Sequence, residues 1–153
     1  MRIVIQRVKS ASVTVNGQEV ASIGTGMVAL VGFGQEDGPE LPGTPLWTKI
    51  LEKLTGLRIF PDKKGKTNLS LEEVNGEILL VSQFTLYADI RKGRRPGFQE
   101  AADPDDAKKL FERLVLDLKE RFPKVKTGVF GTDMEVSLTN WGPVTLVLDS
   151  TSL

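Results

Sequence analysis

The 153-residue chain contains no cysteine and no histidine. Without cysteine there are no disulfides, no thiolate-bound zinc and no thiol nucleophile. Without histidine a Ser-His-Asp or Cys-His triad cannot be assembled, and imidazole bases and His-ligated zinc or haem are excluded with it. Charge of one sign is also lacking. Twenty Lys and Arg balance twenty Asp and Glu, so the formal net charge is zero and any useful field must be local. Long apolar runs are missing too. The opening MRIVIQRVKS places a charge every few residues and has no signal-peptide core, and nothing approaches the ~18 apolar residues of a membrane span. The expectation is a cytoplasmic protein that enters no membrane. If it is an enzyme, it works with carboxylates, hydroxyls, backbone dipoles or a group brought by its substrate.

What is present fits one folded domain spanning residues 1–153: hydrophobic residues make up 40% and charged residues 26%. The first third reads as strands. Asn16-Gly17 tolerates positive φ at both positions and predicts a tight hairpin between Val13–Val15 and Val20–Ile23. Met27–Val31 is apolar throughout and predicts a strand buried on both faces, and Glu77–Val81, apolar after its first residue, predicts another buried strand. Thr44-Pro45 predicts a helix start, with Leu46, Trp47, Ile50, Leu51 and Leu54 on one face and Gly56 as its stop. Asp103-Pro104 predicts a second, with Ala107, Leu110, Phe111, Leu114 and Leu118 inward and Pro123 as its stop. Asp105 and Asp106 complement the positive end of its dipole. Val129-Phe130, Met134–Leu138 and Val144–Leu148 read as further strands. The predicted class is α+β: two main helices packed on a curved, barrel-like sheet.

Three segments stand out. After Val81 the strand turns polar, and alternation predicts Ser82, Phe84 and Leu86 on one face and Gln83, Thr85 and Tyr87 on the other. Such a change marks either a sheet edge or a polar site. Asn140-Trp141-Gly142-Pro143-Val144-Thr145 reads as a hairpin turn between two strands. Arg91-Lys92-Gly93-Arg94-Arg95 concentrates four positive charges and is either a solvated loop or a phosphate contact. Acidic pairs are explained by helix starts and turns, and no carboxylate constellation points to a metal. Gly32, Gly34 and Gly38 follow a strand, but Pro39 and Pro42 argue against a dinucleotide fingerprint.

Taken together, Met1–Val8, Ser82–Asp89, Arg91–Pro96, Phe130-Gly131-Thr132-Asp133-Met134 and Asn140–Thr145 resemble the D-aminoacyl-tRNA deacylase family over nearly the whole chain. The resemblance implies that family's fold and a homodimer with active sites at the subunit interface. The implied reaction is hydrolysis of the ester joining a D-amino acid to the terminal ribose of tRNA. Glycyl-tRNA, with glycine mischarged on tRNA-Ala, is a further implied substrate. Ser82, Gln83, Phe84 and Thr85 are implied to form the catalytic pocket. Gly142-Pro143 is implied to be cis and to enter the partner subunit's pocket, with Arg7 holding it. Met134 and Asn140 are assigned to substrate binding, and Arg91, Lys92, Arg94 and Arg95 to tRNA. No cofactor or metal is implied.

Two mechanisms are compatible with the lack of histidine. Thr85 could attack the ester, although nothing obvious would deprotonate it. Alternatively, protein groups position the ester and a water, the amides near Phe84 stabilise the oxyanion and the ribose 2′-OH assists. The second is favoured, with Thr85 as a positioning group. Trp141 departs from the family, where Asp is common, and is expected at or near the dimer interface. A non-catalytic RNA-binding module, a relative with a trans Gly-Pro bond that clears L-alanyl-tRNA, and a purely structural dimer are the competing readings.

Overall fold

Asn16 and Gly17 take φ values of 50° and 76°, the left-handed pair that a two-residue hairpin requires. They fold strand β2 (Gln18–Ile23) back onto β1 (Arg2–Val15). The computed structural model describes all 153 residues. Beyond the hairpin the chain forms β3 (Gly26–Gly32), helix α1 (Pro45–Gly56), a small ribbon of β4 (Phe60–Pro61) and β5 (Thr67–Leu69), then β6 (Glu77–Ser82), helix α2 (Pro104–Arg121), β7 (Val125–Thr127) and β8 (Glu135–Asp149). β1 organises the sheet. On one edge its first half pairs with β3 and its second half with β2, both antiparallel. On the other edge β8 runs antiparallel along nearly its whole length. β3 pairs in parallel with β6, and β6 in parallel with β7, giving the order β2-β1-β3-β6-β7 with β8 added on β1. The result is a mixed, barrel-like sheet in a single α+β domain.

The continuous apolar runs are explained by two cores. Ile3, Ile5, Met27, Ala29, Ile78 and Leu80 face the helices, while Val8, Val13, Val28, Leu79 and Val81 pack into a second cluster on the opposite face. Alternate residues of β3 and β6 serve different cores, so neither strand has a solvent face to make polar.

Both helices start where the sequence predicts. The Thr44 hydroxyl accepts from the Trp47 amide at 3.1 Å, and the Asp103 side chain accepts from the Asp105 amide at 3.0 Å, each followed by Pro. The expected stripe of α2 is buried as predicted, and Trp47 of α1 donates its indole N–H to Asp117 of α2 at 2.8 Å. No helix is long and apolar enough to cross a membrane.

Two predicted elements differ. Val129 and Phe130 are not a strand; β7 lies earlier, at Val125–Thr127, where its parallel ladder to β6 runs out. Asn140–Thr145 is not a hairpin. β8 is one strand, but Gln6 pairs with Thr145 while Val8 pairs with Asn140, so Trp141, Gly142, Pro143 and Val144 bulge opposite Arg7 alone. Proline has no amide for a ladder and is accommodated at such an irregularity.

Leu80 is fully buried in the helix-side core. Replacing it with Ala removes close-packed methyl groups between β6 and the helices. A loss of about 2–5 kcal/mol is expected, read in urea as a lower unfolding midpoint at unchanged slope.

Candidate active site

β6 stays buried through Val81 and ends at Ser82, because β3, its partner, ends one position later at Gly32. The last ladder bond is the Gln83 amide donating to the Val31 carbonyl at 2.7 Å. Phe84–Tyr87 then winds into a 3₁₀ turn, closed by the Leu86 amide on the Gln83 carbonyl at 3.3 Å and the Ala88 amide on the Thr85 carbonyl at 3.0 Å. The strand alternation predicted for Ser82–Tyr87 therefore fails beyond Ser82, where the repeat becomes threefold.

Glycines make room for this turn. A Cβ on Gly32 would lie 2.7 Å from the Gln83 carbonyl oxygen, and one on Gly34 would lie 2.4 Å from the Tyr87 ring. Arg2 fastens the turn from the side. It donates to the Leu86 carbonyl at 3.1 Å, pairs with Asp149 at 3.0 Å and lies 4.5 Å over the Tyr87 ring. Burial, and next the nearby Asp37 carboxylate, raise the Tyr87 phenol well above its ordinary range. Asp37 in turn accepts from the Gly34 amide at 2.7 Å and pairs with the Met1 ammonium at 2.6 Å.

Ser82, Gln83 and Phe84 form one wall of a cavity of about 480 Å³. Phe130–Met134, the ends of β3 and β6 and the first turn of α2 line the rest of it. Its lining is mainly apolar, with Ser82, Gln83, Thr132 and Asp133 as polar groups, as befits a site for a small ligand or a chain end. The Thr85 hydroxyl accepts a hydrogen bond from the Gln83 side-chain amide, and no acid or base bonds to it. The amides of Phe84 and Thr85 open the 3₁₀ turn, so no carbonyl within the turn can accept from them. That leaves two adjacent free amides, one on Phe84, which lines the cavity, and one on Thr85, which does not; adjacent donors of this kind suit a developing oxyanion. No group of three or more acidic side chains converges as metal ligands would.

Arg7, Asn140, Gly142 and Pro143 form a separate cluster that does not line this cavity. Arg7 is only 6% exposed. Its Nε donates to the Trp141 carbonyl at 2.7 Å and another guanidinium nitrogen donates to the Ile59 carbonyl. The Asn140 side chain brackets the bulge, accepting from the Val144 amide at 2.8 Å and donating to the Thr145 hydroxyl at 3.2 Å. Gly142 and Pro143 are exposed and joined by a cis bond. Gly142 has a φ of 137°, and a Cβ there would lie 2.7 Å from the Arg7 guanidinium; only glycine suits this position. Trp141 is half-buried, its ring 6.4 Å from that of Phe60.

The basic loop is exposed, but its charges are unequal. Arg91 is held by Asp89 at 2.8 Å and by Glu100 at 3.3 Å, and the guanidinium pushes the Asp89 carboxyl down to about 2. Lys92, Arg94 and Arg95 have no ion pair. Phe98 meets Phe84 edge-on at 5.0 Å, so the loop adjoins the cavity wall.

Sequence reasoning missed the roles of Gly32, Gly34, Arg2 and Asp37. The two glycines were visible after a buried strand, yet they serve close approach of the 3₁₀ turn rather than a ligand's phosphates.

The α+β architecture is shared with one class of protein, small enzymes named for deacylation of aminoacyl-tRNA. The sequence model of the D-Tyr-tRNA(Tyr) deacylase family matches residues 4–149. A D-aminoacyl-tRNA deacylase of Nitratidesulfovibrio vulgaris is 56% identical over 154 aligned residues, covering 100% of this chain and 95% of that protein. One from Thermosipho africanus is 54% identical, covering 98% and 97%. Among solved structures, a c-Myc DNA unwinding element binding protein superposes with a TM-score of 0.87 at 36% identity, covering 97% of this chain and 98% of the other. A probable eukaryotic D-amino acid tRNA deacylase superposes with a TM-score of 0.81 at 20% identity, a likeness of fold, covering 96% and 97%. The chain belongs to the D-Tyr-tRNA(Tyr) deacylase family and is an enzyme of the hydrolase class.

Tyr87 is the only tyrosine, so its ionisation can be followed by phenolate absorbance. Because its folded value is raised, the stability it contributes is intact below about 10, the unfolded value, and is lost as pH climbs toward the folded value. Gly34→Ala, whose Cβ displaces the ring, is expected to move the titration back toward 10. A titration near 10 in the parent chain would remove Tyr87 from the packed support of the turn.

Proposed function

We propose that this chain is a cytoplasmic homodimer that hydrolyses D-aminoacyl-tRNA, and glycyl-tRNA formed on tRNA-Ala, at the ester to the terminal ribose. The observation that carries the proposal is the division of the site within one chain. The cavity walled by Ser82–Phe84 and Phe130–Met134 stands in one place, while the exposed Gly142-Pro143 projects from another. A two-fold dimer uses both, because each copy can insert its Gly142-Pro143 into the other's cavity. Family membership and the curated relatives support the reaction.

Enantiomers carry the same groups, so apolar burial cannot separate them. A rigid wall can. Backbone carbonyls of Gly142 and Pro143 suit that task because their positions do not depend on side-chain rotamers. They would crowd an L side chain while leaving space for hydrogen, and glycine passes the same filter. Met134 and Asn140 take substrate-facing and supporting roles: Met134 lines the cavity, and Asn140 fixes the ends of the bulge.

For the chemical step, the aminoacyl ester is already activated and positioning supplies much of the rate. Ser82 and Gln83 hold the substrate, and the Phe84 and Thr85 amides take the charge developing on the carbonyl oxygen. A water adds to the ester carbonyl carbon with help from the ribose 2′-OH, the bond from that carbon to the ribose ester oxygen breaks, and the proton lost by the water ends on the departing ribose oxygen, releasing the amino acid as its carboxylate. Thr85 orients rather than attacks, since the only hydrogen bond on its hydroxyl comes from an amide donor. No cofactor or metal enters the scheme.

The test is hydrolysis of paired D- and L-tyrosyl-tRNA by the purified protein. The D ester alone should be cleaved. Thr85→Ala should retain much of this activity, while a 2′-deoxy terminal adenosine should abolish it; full loss in a folded Thr85→Ala would make the hydroxyl the nucleophile. Gly142→Ala should either admit the L ester or stop the reaction. If neither ester is cleaved while tRNA binds, the protein is a binding module instead.

Lys92, Arg94 and Arg95 are the proposed phosphate contacts, with Arg91 chiefly shaping the loop through Asp89. Neutralising any of the three should reduce the slope of log affinity against log salt by about 0.7 per single-strand phosphate lost. Arg91→Gln should change it far less. An unchanged slope after Arg94 and Arg95 are both neutralised would exclude the loop as the tRNA contact.

A further inference from the structure

Arg7 poses a problem that the proposed reaction alone does not answer. Its guanidinium is almost fully buried, yet no carboxylate pairs with it. Burying a charge without a counter-ion is costly. Two carbonyls, of Trp141 and Ile59, supply hydrogen bonds but no net charge. The third group on Arg7 is aromatic: the guanidinium carbon lies 4.9 Å from the centre of the Trp141 ring. The Lys9 ammonium, two residues along β1, lies 3.4 Å from the same ring centre. One indole therefore faces two cations, and of these Arg7 is desolvated, which strengthens its attraction to the ring.

The position of Trp141 gives this contact a consequence. It is the first residue of the bulge opposite Arg7, so ring and carbonyl of the same residue grip the guanidinium together. The far end of that guanidinium lies against Gly142, where even a methyl group would approach within 2.7 Å. Any swing of Arg7 moves the surface on which Gly142 rests. The ring's other neighbour, Phe60, anchors it to the helix-side core.

We infer that Trp141 is a specificity-determining positioning residue: its indole face fixes the Arg7 guanidinium, and Arg7 in turn fixes Gly142-Pro143 tightly enough to exclude the L ester. The inference rests on the deacylase reading above and adds to it the group that makes the filter rigid. Trp141 touches no substrate and acts only through Arg7. The indole takes the part that a carboxylate would normally play beside a buried guanidinium, with a π face in place of a formal charge.

Two substitutions separate the π face from mere bulk. Trp141→Phe keeps an aromatic face, whereas Trp141→Leu keeps apolar volume against Phe60 and loses the face. In Trp141→Leu the D-over-L ratio of kcat/KM for tyrosyl-tRNA should fall about tenfold, the size of a buried cation–π contact. The change should appear as a higher kcat on the L ester, not as a shift in KM for the D ester. Trp141→Phe should restore most of the ratio. Equal ratios in the two variants, or an unaltered ratio in Trp141→Leu, would overturn the inference.

A second measurement needs no substrate. The Arg7 Nε–H that donates to the Trp141 carbonyl should exchange with solvent about tenfold faster in Trp141→Leu than in the parent or in Trp141→Phe. Equal exchange in all three would overturn the clamp. If Trp141→Leu does not fold, Trp141→Met takes its place under the same criteria. A parent protein that cleaves neither ester would overturn the deacylase reading and the selectivity it assigns to Trp141, and the clamp itself would still be decided by exchange.

Discussion

The Arg7 guanidinium is held between the carbonyl of Trp141 in β8 and the carbonyl of Ile59, just before β4. This cross-link joins three parts of the chain that are far apart in sequence, and the surrounding geometry follows from it. β1 can keep its ladder to β3 through Arg7, because the irregularity is confined to the β8 side. β8 must then place four residues opposite one. The surplus carries Gly142-Pro143 outward, away from the ladder, where proline's missing amide leaves no unpaired acceptor in the sheet. A neutral side chain at position 7 would need none of these partners. The charge is what obliges the backbone to supply carbonyls there.

The parts of the fold that depend on local chemistry were legible in the sequence. Thr44 and Asp103 cap the helices, Asn16-Gly17 makes the hairpin, and the two apolar runs are the strands buried on both faces. The parts that depend on a distant partner were not. Ser82–Tyr87 looks like the end of a strand, and only the termination of β3 at Gly32 turns it into a 3₁₀ segment. Asn140–Thr145 has the composition of a turn, and only its pairing to β1 on both sides shows it to be a bulge. The candidate site was legible as residue types and not as one place. The structure brings Ser82, Gln83, Phe84 and Met134 to the cavity, and keeps Arg7, Asn140, Gly142 and Pro143 together elsewhere. In the basic loop, four charges in sequence become three free ones, because Asp89 and Glu100 lie where Arg91 can reach them.

The absence of histidine bears on how the two halves of the site divide the work. With no imidazole to activate a nucleophile, the cavity side offers amides, hydroxyls, the Asp133 carboxylate and apolar walls, which are chiefly means of orientation. Such a site accelerates an activated ester without strongly choosing among side chains, since backbone donors bind the ester group common to all of them. Selectivity must then come from shape, which on the proposed dimer the partner's Gly142-Pro143 supplies. On the proposed dimer, rate and selectivity are supplied by different chains. A protomer acting alone would keep the donors of the 3₁₀ turn and lose the wall, so separation of the subunits would weaken rejection of the L ester before it weakened hydrolysis itself. Rigidity of that wall is therefore a property worth building from buried groups, and Phe60, the Trp141 ring, Arg7 and Gly142 link the core to it.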